Sequence, residues 1–175
     1  MTKKMACPSC TRAWAATTVL TLASLLSTPV GAVSTGDTFC DWTARCEPIG
    51  AAARETCYIY QNVLWKKDKQ RLVHIAVGYI SDSREPAAFL TLPLGVSLPG
   101  GVSMQVDDGP QQRLRYERCE SSGCLAPLVL SDGLIRSMKV GREARVSFFD
   151  GSRRQISVPI SLLGFTAGFN ALPTP

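Results

Sequence analysis

The chain has 175 residues, with 19 basic and 14 acidic side chains, one histidine and a formal net charge of +5. Three of the basic residues (Lys3, Lys4, Arg12) and none of the acidic ones precede residue 33, so the remainder holds 16 against 14 and a net charge of only +2. That remainder shows no basic stripe with interleaved aromatics, which argues against nucleic-acid binding, and a single histidine rules out a multi-histidine metal site.

Residues 1–32 read as a secretory signal. Lys3, Lys4 and Arg12 form a positive leader, Ala13 to Leu26 is uncharged and rich in Ala, Leu and Val, and Pro29 followed by Val30-Gly31-Ala32 fits a small-residue cleavage site before Val33. The competing reading is an uncleaved anchor, because Ala13 to Val33 gives 21 uncharged residues, just the length of a bilayer span. Its four Thr, two Ser and Pro29 make it a poor span, and cleavage is preferred. A membrane then enters only through an uncleaved leader. The remaining 143 residues, 33–175, are expected as one domain, large enough to bury its own core. Cys7-Pro-Ser-Cys10 has the spacing of redox and metal motifs but lies in the leader and is lost with it.

In chain order, Thr38 to Cys46 reads as a first strand with Cys40, Trp42, Ala44 and Cys46 on its inner face. Glu47 to Glu55 reads as a loop and Thr56 to Val63 as a second strand. Lys66 to Arg71 is a charged turn, read as solvated. Leu72 to Ile80 is a third strand, with Val73, Ile75, Val77 and Tyr79 on one face and His74, Ala76 and Gly78 on the other. Ala87 to Leu94 and Val102 to Val106 follow as strands. Asp107 and Asp108, adjacent in a turn, suit backbone capping better than acid–base work. Arg113 to Glu117 is a short polar strand, Cys119 to Cys124 a tight loop, and Leu125 to Leu130 a strand whose Pro127 marks an edge or bulge. Ser131 has the look of a helix N-cap, with Asp132 in the first turn, Leu134, Ile135 and Met138 on one face and Gly141 as the stop.

The clearest pattern comes last. Ile156, Val158, Ile160 and Leu162 recur at every second position between Gln155, Ser157, Pro159 and Ser161, a half-buried strand with Pro159 demanding an edge or bulge. Asp150-Gly151 ahead of it signals a hairpin, for which a type I′ turn is expected. Phe165, Phe169 and Leu172 recur at helical spacing and are expected to pack as a lid. About eight short strands, one short helix and a C-terminal helical turn specify an all-β antiparallel sandwich or barrel.

Chemical constellations are scarce. The residues after 32 contain no nucleophile elbow, zincin helix, phosphate-cradling glycine loop or dinucleotide fingerprint, and no cofactor is implied. His74 on the less apolar side of a strand reads as a packing or surface residue. Five cysteines remain: 40, 46, 57, 119 and 124. In an oxidising compartment these give two bridges and one odd thiol, among 15 connectivities that sequence alone does not resolve. The bridges favoured are Cys46–Cys57, tying the first strand to the second, and Cys119–Cys124, closing a loop, which leaves Cys40 as the odd thiol, buried and inert, competing for Cys57 or bridging chains.

One resemblance is specific. Asp41-Trp42 and Cys46, Leu92-Pro-Leu-Gly-Val-Ser-Leu-Pro-Gly-Gly-Val102, Cys119-x4-Cys124, Gly141, Val146-Ser-Phe-Phe-Asp150 and Val158-Pro-Ile-Ser-Leu162-x-Gly-Phe-Thr-Ala-Gly-Phe169 resemble, in order, the invasion-associated locus B family of small exported proteins of Gram-negative bacteria. The resemblance covers nearly all of residues 38–172. It implies an immunoglobulin-like sandwich, a periplasmic or envelope location, and disulfides at positions matching Cys46/Cys57 and Cys119/Cys124. It carries over no catalytic residue. Cys40 departs from the pattern, where a small residue usually precedes Asp-Trp. The expectation is therefore a non-enzymatic envelope protein that binds another envelope component or a host surface, with exposed strand edges as a route through β-augmentation. The alternatives are a periplasmic enzyme or thiol-redox factor using Cys40 or His74, and a structural protein with no dedicated ligand.

Overall fold

A computed structural model describes residues 33–49, 54–67, 69–79 and 85–174. The expected signal, residues 1–32, lies outside the described residues. Eleven strands and two helices follow one another: β1 (Thr38–Phe39), β2 (Trp42–Ile49), β3 (Arg54–Leu64), β4 (Arg71–Tyr79), β5 (Pro86–Leu92), β6 (Val102–Val106), β7 (Gln112–Leu114), β8 (Arg118–Glu120), β9 (Gly123–Val129), α1 (Asp132–Val140), β10 (Glu143–Phe149), β11 (Gln155–Ser161) and α2 (Phe165–Ala171). They form a seven-stranded sheet in the order β1-β2-β3-β4-β5-β9-β8 and a four-stranded sheet in the order β11-β10-β6-β7. The described pairings are antiparallel throughout. The architecture is the all-β sandwich that the alternating strands specify.

Period-two alternation sets which side chains meet between the sheets. Ile59, Val73, Ile75, Val77, Leu90 and Leu92 line the larger sheet, and Met104, Val146, Phe148, Val158 and Ile160 line the smaller; all are buried. On β11 the expected inner face holds, with Gln155, Ser157 and Pro159 exposed opposite it, and Pro159 sits on the edge strand, where no ladder bond is required of it. Every member of the core cluster lies between Val33 and Leu172, and Ala32–Pro175 forms one compact unit. Among the described residues this core is continuous between the two sheets.

Trp42 closes the seam between the sheets. It is fully buried, meets Phe165 edge-on at 5.3 Å, and its indole Nε1 donates to the Ser161 carbonyl at 3.0 Å, so a large apolar body is buried with its one polar atom satisfied. Phe165, Phe169 and Leu172 are buried as the expected lid, with Phe165 and Phe169 stacked at 5.5 Å. The lid docks so closely that a Cβ on Gly164 (φ +89) would stand 1.9 Å from the Phe39 carbonyl oxygen; only glycine fits there. Helix α1 begins as expected, with Ser131 Oγ accepting from the Leu134 amide. Gly141 ends it for a different reason from the one expected of a stop residue. Its φ is −70, and its need for a bare Cα is steric, a Cβ lying 2.7 Å from Val106 Cγ1. Asp107 does cap backbone: its carboxylate accepts from the amides of Arg142 and Glu143, each at 3.1 Å.

Three expectations are corrected. Thr38 to Cys46 is not one strand but the β1–β2 hairpin, turning at Cys40-Asp41 with Cys40 at φ 55. The Asp41 amide donates to the Leu163 carbonyl at 3.3 Å, so tertiary contact holds this turn. Cys40 consequently faces solvent rather than the core. The loop expected over 47–55 is shorter, since β2 runs to Ile49 and β3 starts at Arg54. The β10–β11 turn is not type I′. The Arg153 amide bonds to the Asp150 carbonyl, the Asp150 amide to the Arg154 carbonyl, and the left-handed position is Arg153 at φ 60 instead of Gly151. This is the three-residue loop with a bulge, selected by Asp150, whose Oδ1 accepts from the Ser152 and Arg154 amides.

Candidate functional site

A sandwich can meet another molecule through its edges or its outer faces, and here the edges are blocked. Along β2, residues 35–37 run beside the strand: the Gly36 amide donates to the Ala44 carbonyl at 2.9 Å, the Ala44 amide to the Asp37 carbonyl at 2.8 Å, and the Cys46 amide to Thr35 Oγ1 at 2.8 Å. At the other border β8 is only three residues long, and the stretch of β9 beyond it contains Pro127. In the smaller sheet β7 is also three residues. On β11 the outward amide and carbonyl of Ser161 are taken by the side chain of Gln61, whose Oε1 accepts at 3.1 Å and whose Nε2 donates at 3.2 Å. Nε2 also reaches the Asp41 carbonyl at 3.0 Å. Two residues earlier, at the next outward position, stands Pro159, which has no amide to offer. The β-augmentation route expected from sequence is therefore obstructed at these positions.

The outer face of the larger sheet is a different matter. Register aligns Tyr60, Ala76, Phe89 and Pro127 in one cross-strand row, with Tyr58, Gly78, Ala87 and Val129 in the row on one side and Asn62, His74, Thr91 and Leu125 in the row on the other. These alternate with the buried core positions and so point away from it. Tyr58, Tyr60, Phe89, Leu125 and Pro127 are half-buried, and Val129 is 56 % exposed. The rings are mutually supported: Tyr58 to Tyr60 at 6.4 Å and Tyr60 to His74 at 5.5 Å. The small residues between them leave a shallow valley, and Gly78 is held to its size by Tyr58, whose Cβ would lie 2.9 Å from an added Cβ. Charged groups rim the patch: Arg45 paired with Glu47 at 2.5 Å on β2, and Arg118 paired with Glu120 at 2.7 Å on β8. Burial, reinforced by the neighbouring Glu47 carboxylate, pushes the Tyr58 phenol above its ordinary pKa, so Tyr58 presents a neutral hydroxyl.

His74 lies within this patch. Its Nδ1 hydrogen-bonds Asn62 Oδ1 at 2.9 Å, and burial, followed by the positive charges of Arg71 and Arg45, holds its pKa below the usual histidine value. Among the described residues no group of three or more His, Cys, Asp or Glu side chains is placed to hold a metal ion. Cys46 and Cys57 face each other across β2 and β3 with S–S 2.06 Å, and Cys119 and Cys124 across β8 and β9 with S–S 2.04 Å. Cys119 to Cys124 is thus a hairpin rather than a loop. Cys40, expected as the odd thiol, is disulfide-bonded in the full chain.

A groove of about 510 Å³ runs beside the Gln61 contact, lined by Asp41, Leu64, Arg142, Glu143 and Ser161 among others. Its floor atoms are committed: Gln61 to Ser161, and the Arg142 and Glu143 amides to Asp107. It is the open seam of the sandwich more than a reaction site. The sequence reading missed the aromatic patch because β4 alone offers only His74, Ala76 and Gly78 there. Its signal was that Cys57-Tyr58-Ile59-Tyr60 and Leu125-Ala-Pro-Leu-Val129 carry apolar groups at both parities. No helix among the described residues is long and apolar enough to cross a membrane.

The chain as a whole is similar to known proteins. The family model described as Invasion associated locus B (IalB) protein matches residues 42–173. Two invasion protein B homologs of Brucella abortus, from strain 2308 and from biovar 1 strain 9-941, are each 27% identical over 149 residues, covering 83% of this chain and 83% of their own. The crystal structure of invasion associated protein b from Bartonella henselae superposes with a TM-score of 0.69 at 20% identity, covering 78% of this chain and 93% of that one, a likeness of fold.

Proposed function

Because the chain belongs to the invasion associated locus B family, we propose that it is a non-enzymatic, exported protein of the bacterial envelope that binds the surface of another envelope or host protein through the outer face of its larger sheet. The observation that carries this reading is the row Tyr60, Ala76, Phe89 and Pro127 with its tyrosine and leucine neighbours. Half-exposed aromatics around small residues, inside a rim of paired charges, have the composition of a protein-contact centre. Export is supported by the signal-like residues 1–32 and by the bridges Cys46–Cys57 and Cys119–Cys124, since such bonds persist in oxidising compartments. A packing role for His74 is supported by its contact with the Tyr60 ring and its bond to Asn62. The names of the Brucella and Bartonella relatives support a part in host association.

Site-directed photo-crosslinking in intact cells tests it. A photoreactive residue at Tyr60 or Phe89 is expected to trap a discrete protein partner, and one at Ser103 or Ser147 on the opposite face to trap none. Equal labelling from both faces would refute the assignment, and fractionation that leaves the mature chain in the cytoplasm would refute export.

A further inference from the structure

The tip of the β3–β4 hairpin belongs neither to the aromatic face nor to the core. Leu64 and Trp65 stand there 46 % and 47 % exposed, followed by the run Lys66-Lys67-Asp68-Lys69, in which one acidic residue offsets one of three lysines, with Arg71 opening β4. Of the seven large apolar side chains exposed among the described residues, Leu64 and Trp65 adjoin each other and a run of lysines, and such a combined patch is more informative than a single exposed residue. Backbone bonds close the turn: the Trp65 amide donates to the Gln70 carbonyl at 2.7 Å and the Lys69 amide to the Trp65 carbonyl at 2.9 Å, with Lys69 at φ 60. Arg71 reaches across to the Ser122 carbonyl at 2.7 Å and ties the tip to the neighbouring β8–β9 turn. Lys66, Lys67 and Lys69 make no ion pair among the described residues. Arg142, exposed across the groove that Leu64 also lines, adds a further positive charge nearby.

We propose that this tip is a docking element for an anionic lipid surface, with Trp65 and Leu64 entering the headgroup layer and Lys66, Lys67 and Lys69 engaging lipid phosphates. The chemistry matches on both counts. Tryptophan settles at the boundary of a bilayer, where its ring is apolar and its N–H stays wet. Lysine stems lie along apolar matter while their ammonium groups reach phosphate, and each basic side chain near an anionic leaflet adds about a fivefold gain in affinity, equivalent to about 1 kcal/mol. A free phosphate would satisfy the lysines but leave Leu64 and Trp65 without purpose, which favours the bilayer as the source of the anion. The hydrogen-bonded turn presents Leu64, Trp65 and the lysines together, which lowers the ordering cost of binding. This element is separate from the aromatic face and does not depend on it.

Sedimentation with vesicles tests it, on the full chain and on residues 33–175 in parallel. The vesicles are phosphatidylcholine alone or phosphatidylcholine with about 30 mol% phosphatidylglycerol, a surface charge chosen to resemble an anionic leaflet. Binding is expected only to the charged vesicles, weakening as salt rises from about 0.1 M to about 0.5 M. The difference spectrum between the wild type and Trp65→Phe isolates the Trp65 emission, which is expected to shift to shorter wavelength on binding, Trp42 being buried throughout. Reversing Lys66, Lys67 and Lys69 to Glu is expected to reduce affinity by about 100-fold or more. Leu64→Ser with Trp65→Ser is expected to cost about tenfold or more with every charge intact. Val140→Ser, at a side chain 85 % exposed elsewhere, is expected to change nothing, and urea midpoints check that each variant is folded. Tip variants that bind like the wild type, equal binding to uncharged vesicles, no vesicle binding at all, or displacement by inorganic phosphate beyond its ionic-strength effect would each overturn the assignment, as would a tip-dependent crosslink to a protein in the absence of vesicle binding.

Discussion

The two outer faces of this sandwich differ more than its two inner ones. Behind the four-stranded sheet, register places Arg113, Ser103, Ser147 and Ser157 in one row, and Gln105, Arg145 and Pro159 in the next. Ser147 and Ser157 exchange a hydroxyl bond at 2.8 Å. Short hydroxyls and solvated guanidinium groups make a surface that loses little by staying wet. Behind the seven-stranded sheet the corresponding positions hold Tyr58, Tyr60, Phe89, Leu125 and Pro127. The same backbone pleat produces both, so the strands do not require the aromatics. What they suit is a second surface, and the contrast within one molecule supplies its own control.

The largest effect tests the core common to both faces. Trp42→Ala removes the edge contact with Phe165 and the indole bond to Ser161, and is expected to cost about 3–5 kcal/mol in urea unfolding. A smaller loss would mean that the seam relaxes around the cavity. Replacing Cys46 and Cys57 together by Ser is expected to cost about 2–4 kcal/mol by the same measurement, loosening β2 against β3 and so the aromatic face alone. Gln61→Ala strands the outward amide of Ser161 and is expected to cost about 1–3 kcal/mol, with concentration-dependent association as its signature if the β11 border is thereby opened. Phe89→Ser on the aromatic face is expected to cost about 1 kcal/mol or less yet abolish the Tyr60 crosslink, whereas Ser147→Ala is expected to stay within about 0.5 kcal/mol and leave it intact. A crosslink indifferent to Phe89→Ser would erase the distinction between the faces.

The smallest effect concerns pH. The folded His74 has its pKa below the ordinary 6.5, chiefly through burial, so the unfolded chain binds the proton more readily. Stability from this group is complete above the unfolded value and falls as pH drops through 6.5 towards the folded value. Unfolding midpoints measured between neutral and mildly acidic pH should decline in the wild type, and His74→Gln should flatten that slope.

Local pattern carried much of this architecture. The alternation over Ile156 to Leu162 gave a strand with the right buried face, Ser131 capped its helix, and the spacing of Phe165, Phe169 and Leu172 gave the lid. What escaped detection was set from far away in the chain. The turn at Cys40-Asp41 contains no Gly, Pro or Asn to announce it and is held by Leu163 and the close approach of Gly164. The Gln61–Ser161 pairing joins residues 100 positions apart. The aromatic face is a property of register across β3, β4, β5 and β9, and no single strand contains it.

The contact between Gln61 and Ser161 has a further consequence. A primary amide has the same donor and acceptor pair as a peptide unit, so the smaller sheet ends on a counterfeit of the strand it lacks. A chain arriving from another molecule would have to evict that amide and then find Pro159 at the next outward position. Strand addition is thereby opposed at its first step along this border.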